Sequence, residues 1–218
     1  MEQDNQEVYA RARAHLSINN RHRQENKPDP SLVKHCFVRM QDNDKALSQF
    51  LSFYSGYFIN QRIIFYCDAD TNAEAISTYL SSFDIPNTTM LADISSKERR
   101  ARLKSFRDRA CVLVVSGENL SLEELSGIPV IAVFLYYPLR TKHSRKVPGG
   151  LFGYQHQVNA VCRFGHPGLC ITIVQDETVQ EALETVVCSY YVQYGTKLKQ
   201  LVLGPDGSLA QTLAKYLL

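Results

Sequence analysis

Arg62-Ile63-Ile64-Phe65-Tyr66-Cys67 is apolar at every position after Arg62, with no polar residue alternating between the apolar ones. A strand written this way is buried on both faces, as in a parallel sheet. Thr71 follows as an N-cap with Glu74 three residues on, the spacing of a capping box, so a helix is expected to start there. Working outward, the same alternation recurs. Upstream, Leu32 to Met40 reads as a strand, and Ala46, Phe50, Phe53, Tyr54 and Tyr57 recur at helical spacing over about 42–58. Downstream come a short strand near 88–91, a strongly charged helix from Ser95 to Asp108, and apolar strands over 110–116 and 130–136. An irregular loop rich in Gly, Pro and basic residues fills 139–153. A helix over 154–161, a strand over 169–174 and a helix over 179–191 follow, and Gly204-Pro205-Asp206-Gly207 turns the chain into a last helix. Alternating strands and helices with continuous apolar strands predict an α/β fold of three layers, a parallel sheet with helices on both faces. In such a sheet ligands bind outside the carboxyl ends of the strands.

The totals allow one domain of this kind. With 218 residues and 44% apolar content the chain can bury a single sizeable core. Residues 1–30 form a polar, basic N-terminal extension closed by the hinge Lys27-Pro28-Asp29-Pro30, and the domain is expected over 31–218. A net charge of +2 demands no nucleic acid by itself, but the cations are clustered. Arg11, Arg13, Arg21, Arg23 and Lys27 lie in or at the end of the extension; Arg140, Lys142, Arg145 and Lys146 crowd the long loop beside His143. Such clusters either touch phosphates or are simply solvated. Six cysteines occur without a Cys-x-x-Cys pair, and Cys67, Cys111 and Cys170 fall in or beside strand-like runs, where a thiol acts as a small buried hydrophobe. No secretory h-region follows Met1 to Asn5, and no apolar run reaches membrane-spanning length. The chain is therefore expected in the cytoplasm or nucleus, neither secreted nor membrane-bound, with no disulfide framework and no metal site.

Ile63-Ile64-Phe65-Tyr66-Cys67, then Ala73-Glu74-Ala75 and Leu80, resembles the strand–helix unit that opens the C-terminal lobe of DEAD-box RNA helicases. Leu91 to Arg99 followed by Phe106-Arg107 is similar to the family's next block, a helix with a Gln-x-x-Arg-type motif that ends in Phe-Arg. Val112-Leu113-Val114-Val115 matches the strand leading into the motif that couples RNA to ATP. Tyr154-Gln155-His156-Gln157-Val158-Asn159-Ala160-Val161-Cys162-Arg163-Phe164-Gly165 aligns with Tyr-x-His-Arg-x-Gly-Arg-x-Gly-Arg-x-Gly, and Gly168 to Val174 with the strand behind it. The resemblance spans roughly residues 32–195 in consistent order and implies a RecA-like domain. The loop between Pro138 and Tyr154 looks most like that of the messenger-RNA-export branch found at nuclear pores.

Set beside that family, the chain departs where the chemistry lies. Phosphoryl transfer from ATP needs a P-loop, a carboxylate for magnesium, and arginines that neutralise transition-state charge. Neither Gly-x-x-x-x-Gly-Lys-Ser/Thr nor Asp-Glu-Ala-Asp occurs in this sequence; in the family both belong to the N-terminal lobe. In the closing motif Ala160 stands where an arginine is expected, Gln157 replaces the arginine after the histidine, and Asn159 and Cys162 replace glycines. Arg163 remains at a finger-like position, with His156 before it; taken alone it reads as a surface or salt-bridged residue before a catalytic one. The coupling motif Ala-Arg-Gly-x-Asp should fall near Leu120-Ser121-Leu122-Glu123-Glu124, which has neither arginine nor glycine. Its two acids read as the solvated first turn of a short helix. The resemblance makes Ser95, Lys97 and Arg99, with Arg100 beside them, the RNA-phosphate candidates, on a helix whose N-terminus and basic side chains suit phosphates. Asp68 and Asp70, a carboxylate pair behind the first buried strand, are accounted for as caps of the following helix.

The expectation is thus a degenerate lobe with no catalytic residue of its own, no ATPase activity alone and no cofactor, ATP entering only if an N-terminal helicase lobe is paired with it. Its partners would be a helicase regulator or scaffold protein and single-stranded RNA, in RNA metabolism. The alternative is the C-terminal lobe of a functional ATP-dependent RNA helicase, completing a composite ATP and RNA site with a separate N-terminal lobe. A third reading is a small-molecule-binding α/β domain that shares the architecture alone.

Overall fold

A computed structural model describes residues 28–40, 47, 48, 50, 51, 58, 60–109, 112–117, 120–136 and 150–201. The apolar runs become strands β1 (Val33–Arg39), β2 (Ile63–Cys67), β3 (Asn87–Met90), β4 (Val112–Ser116), β5 (Ala132–Tyr136) and β6 (Gly168–Val174), joined by a short β7 (Leu198–Gln200). They form one seven-stranded sheet in the order β3-β4-β2-β5-β6-β1-β7, and every pairing is parallel. Between them run helices α1 (Asp70–Ser82), α2 (Ser96–Asp108), α3 (Gly150–Val158) and α4 (Glu177–Tyr194).

Strand order and helix placement follow one rule. Along the sheet the chain steps one way from β1 to β2 to β3, then the other way through β4, β5, β6 and β7. A crossover of constant hand must put helices of opposite steps on opposite faces. Accordingly, helical Leu47 and Phe50 and the α1 residues Ala73, Ile76 and Leu80 cover one face. Leu103 and Phe106 of α2, Tyr154 and Val158 of α3, and Val179 and Leu183 of α4 cover the other.

Both layers are supplied by period-two alternation within the same strands. Ile63, Phe65 and Cys67 of β2 face the first layer, and Ile64 and Tyr66 the second. β2, β4, β5 and β6 are buried at every position, whereas the edges β3 and β7 are only partly covered. In the first layer Phe50 stands edge-on to Phe65 and Phe134 at 5.2 and 4.8 Å, and Phe65 stacks on Phe134 at 5.8 Å. Arg62, at the entrance to β2, donates through Nε to the Phe106 carbonyl at 3.0 Å and through Nη2 to that of Arg107. A cation thereby meets the negative end of the α2 dipole.

Three local expectations need correction. Thr71 is not the N-cap of α1: the helix starts at Asp70, and its N-cap Ala69 offers no side-chain bond. α3 begins at Gly150 and stops at Val158, short of the expected 161. Beyond it the backbone folds into turns, with Phe164 at φ 65 and Gly165 at φ 70. β7 was not expected, because a three-residue edge strand with two exposed positions carries no apolar run. At the hinge, Asp29 caps a 3-10 turn over Pro30–Leu32, and its N–H donates to the Cys162 carbonyl at 2.9 Å. Residues 1–27, positions 139–149 of the expected irregular loop and the expected last helix lie outside the described residues. No described helix is long and apolar enough to cross a membrane.

Two positions give direct tests of this core. A Cβ on Gly168 would lie 2.3 Å from the Val161 carbonyl oxygen, a backbone atom that cannot step aside. Gly168→Ala should therefore lower the urea-unfolding free energy by roughly 1–3 kcal/mol. His35 is fully buried on β1, with Nδ1 2.8 Å from the Tyr154 hydroxyl. Burial lowers its pKa from the ordinary 6.5 to about 4. Between those values the unfolded chain binds the proton more readily than the native one, so stability is full above pH 6.5 and falls as the pH drops towards 4. The loss should be on the order of 3 kcal/mol, and His35→Gln should remove most of that pH dependence in urea titrations.

Candidate functional site

The carboxyl ends of the strands carry the site, as a parallel sheet requires. β2 leads into Asp68 and Asp70, β3 into the approach to α2, and β4 into Gly117 and the segment 120–128. Asp70 gathers three of these strand ends: its carboxylate accepts from the Ala92 N–H at 3.1 Å and from the Ser116 hydroxyl. Asp68 serves another partner, the Asn72 amide. The two acids are thus not a working pair, and the expected capping of α1 is not what they do: the N-cap is Ala69, and Asp70 stands in the first turn of α1 and ties it to the segment before α2. Asp70 as a junction of three strand ends was not legible in the sequence, since its partners lie 22 and 46 residues away.

Segment 120–128 is a run of turns anchored by buried Leu120, Leu125 and Ile128. The expected short helix is realised only as turns over 122–127, entered by Ser121 and Glu124, which bond each other in the reciprocal pattern of a capping box. The Ser121 N–H donates to Glu124 Oε2 at 2.8 Å, and the Glu124 N–H to Ser121 Oγ at 3.2 Å. Glu123 is exposed as expected, but Glu124 is not a solvated acid. It forms a two-pronged ion pair with Arg99, through Nε and through Nη2 at 2.8 Å. The side chains are 22% and 25% exposed, so the charges are partly desolvated. The Arg99 bonds hold the Glu124 carboxyl at about 2, and the Glu124 carboxylate raises the Arg99 pKa.

Two further side chains from the closing motif reach the same segment. His156, on α3, donates from Nε2 to the Leu120 carbonyl, which can only accept; this assigns the proton to that nitrogen. Arg163 donates from Nη1 to the Leu122 carbonyl at 3.1 Å and lies over the Phe164 ring at 5.3 Å. With 8% exposure Arg163 is buried, which corrects the expectation of a surface position. Three positions singled out in two motifs thus converge on one turn, Arg99 from α2, His156 from α3 and Arg163 from the turns behind it. Their spatial convergence could not be read from sequence, because a carbonyl partner leaves no signature in residue type.

The remaining candidates divide by exposure. Ser95 caps α2 by accepting from the Glu98 N–H at 3.2 Å, while Lys97 and Arg100 are exposed. Arg140, Lys142, Arg145 and Lys146 lie outside the described residues. Among those described, no group of His, Cys, Asp and Glu is arranged to hold a metal ion. Cutting the central ion pair tests the arrangement. Glu124→Ala should cost on the order of 1–3 kcal/mol and speed amide hydrogen exchange across 120–128, leaving the β2 and β5 amides protected.

No protein-family model matches the chain. Among curated proteins it is 23% identical over 149 residues to the ATP-dependent RNA helicase eIF4A of Saccharomyces cerevisiae, covering 67% of this chain and 34% of that protein. It is 28% identical over 157 residues to the ATP-dependent RNA helicase SUB2-2 of Vanderwaltozyma polyspora, covering 69% and 31%. The chain therefore spans about a third of the length of these relatives. Among solved structures, the C-terminal domain of the DEAD-box protein Dbp5 superposes with a TM-score of 0.67 at 18% identity, over 86% of this chain and 97% of that one. S. cerevisiae Dbp5 bound to Nup159, Gle1, IP6 and ADP matches with a TM-score of 0.69 at 19% identity, over 87% and 47%. In sequence and in fold, the chain is similar to the RecA-like lobe that forms the C-terminal part of DEAD-box RNA helicases.

Proposed function

We propose that this lobe has left the ATP-driven cycle and works as a docking module in RNA metabolism, bound by a protein partner, with RNA as a second ligand. One observation carries the reading: Arg99, His156 and Arg163 are all bonded into 120–124. An arginine that stabilises a transferring phosphoryl group must present its guanidinium to the phosphate, and that contribution is worth roughly 10³–10⁵ in rate. Arg163 is buried with a backbone carbonyl as partner, and Ala160, 1% exposed, has no charge to offer. The coupling segment has likewise exchanged a phosphate-facing arginine for a closed Ser121–Glu124 turn. Solved relatives supply the precedent for docking: Dbp5 has been captured bound to Gle1 and to Nup159 as well as to RNA. On this reading the protein acts inside the cell, in the nucleus or cytoplasm, and needs no cofactor.

The test is reconstitution. The chain mixed with the N-terminal lobe of a DEAD-box helicase, ATP, magnesium and RNA should release phosphate no faster than the N-terminal lobe alone. RNA-stimulated turnover above that baseline, abolished by Arg163→Ala, would instead establish a composite ATP site.

A further inference from the structure

Helix α2 carries Lys97, Arg99, Arg100, Arg102, Lys104 and Arg107, and the fold sorts them into two sets. Arg99 turns to Glu124, and Arg102 to the Thr89 carbonyl and hydroxyl at 2.7 Å each and to Glu98. Both are engaged by other groups of the domain. Lys97, Arg100, Lys104 and Arg107 are exposed. Their spacing of three, four and three residues aligns them along one outer face for about 15 Å. Arg100 reaches the Ser96 carbonyl one turn back, and Arg107 the Ser126 carbonyl, both exposed contacts with a neutral group. Among the described residues no ion pair engages any of the four. Ala101 is exposed beside them, and Asp108 is the exposed acid at the far end of the helix.

Like charges at these spacings destabilise a helix, and packing does not call for them, since α2 is anchored by buried Leu103 and Phe106. A cationic ridge without internal carboxylates suits an anion supplied from outside. Its shape decides which. Single-stranded nucleic acid is held in a groove whose aromatic side chains stack on the bases. This ridge is the convex side of a helix with no exposed aromatic, and the large exposed aromatic Phe83 stands at the end of α1 beside Tyr79, in the opposite layer. Cations at helical spacing are instead complementary to carboxylates at the same spacing on a second helix.

We propose that the outer face of α2 docks an acidic helical segment of a partner protein, its carboxylates facing Lys97, Arg100, Lys104 and Arg107. This rests on the docking-module reading and gives it a surface and a chemistry. The test uses the full chain and fluorescence anisotropy with a helical alanine-based peptide bearing glutamates at three- and four-residue spacing. A peptide of identical composition with its glutamates bunched at one end, and an oligouridylate, serve as competitors. The patterned peptide should bind in a salt-sensitive manner and at least ~5-fold more tightly than the bunched one. Arg100→Glu combined with Lys104→Glu should weaken it at least ~10-fold, with the thermal midpoint not lowered, and a lysine-patterned peptide should bind that variant. Equal affinity for both peptides, binding indifferent to the double reversal, or oligouridylate displacing the patterned peptide from the ridge would overturn the proposal. The first comparison needs no variant, and failure here leaves the docking reading intact, which falls only to ATP turnover in the reconstituted mixture.

Discussion

Parallel pairing with helices on both faces leaves the inner strands of this sheet no solvent-facing side, and β2, β4, β5 and β6 are buried along their whole length. That constraint orders much of the remainder. It demands apolar side chains at consecutive positions, sends alternate residues into two separate cores, and forces every return connection over the top or bottom of the sheet. It also confines chemistry to the strand ends, where backbone groups and polar side chains can meet. Asp70 shows how much a single carboxylate does there, holding together the loops that follow β2, β3 and β4.

The segment after β4 takes its shape from that same edge. With no arginine or glycine at 120–124, it closes into a Ser121–Glu124 turn, and the turn becomes an acceptor for neighbouring cations and donors. A partly desolvated two-pronged ion pair is stronger than an exposed one, because the fork of a guanidinium matches a carboxylate and little entropy remains to be lost. Arg99, His156 and Arg163 therefore fasten three parts of the lobe to one short segment. These contacts close the segment and engage Arg99, His156 and Arg163 within the lobe.

Helix α2 illustrates a division of labour along a single element. Its apolar Leu103 and Phe106 fix it to the sheet, Arg99 and Arg102 tie it to neighbouring loops, and the cations left over face outward. A helix so charged owes its stability to tertiary packing, capping by Ser95 and the Arg62 contacts at its end, since its exposed face is self-repelling.

Strand identity was legible in the sequence wherever apolar runs were continuous, as in Ile63–Cys67, Val112–Ser116 and Gly168–Val174, because burial on both faces writes itself directly into composition. The charged helix before Asp108, its Ser95 cap, the parallel architecture and the likeness to a helicase lobe were legible for the same reason: each depends on local pattern. Tertiary structure alone decided the rest. The start of α1 moved off Thr71 and α3 ended early at Val158, as chain ends answer to partners rather than to propensity. β7 exists only because β1 offers it an edge. Whether Glu124 was solvated, whether Arg163 was on the surface, and which cations of α2 stayed outside depended on contacts between residues 25 to 41 positions apart. Such contacts are set by where the sheet brings its strand ends together, and no local reading of residue types contains that information.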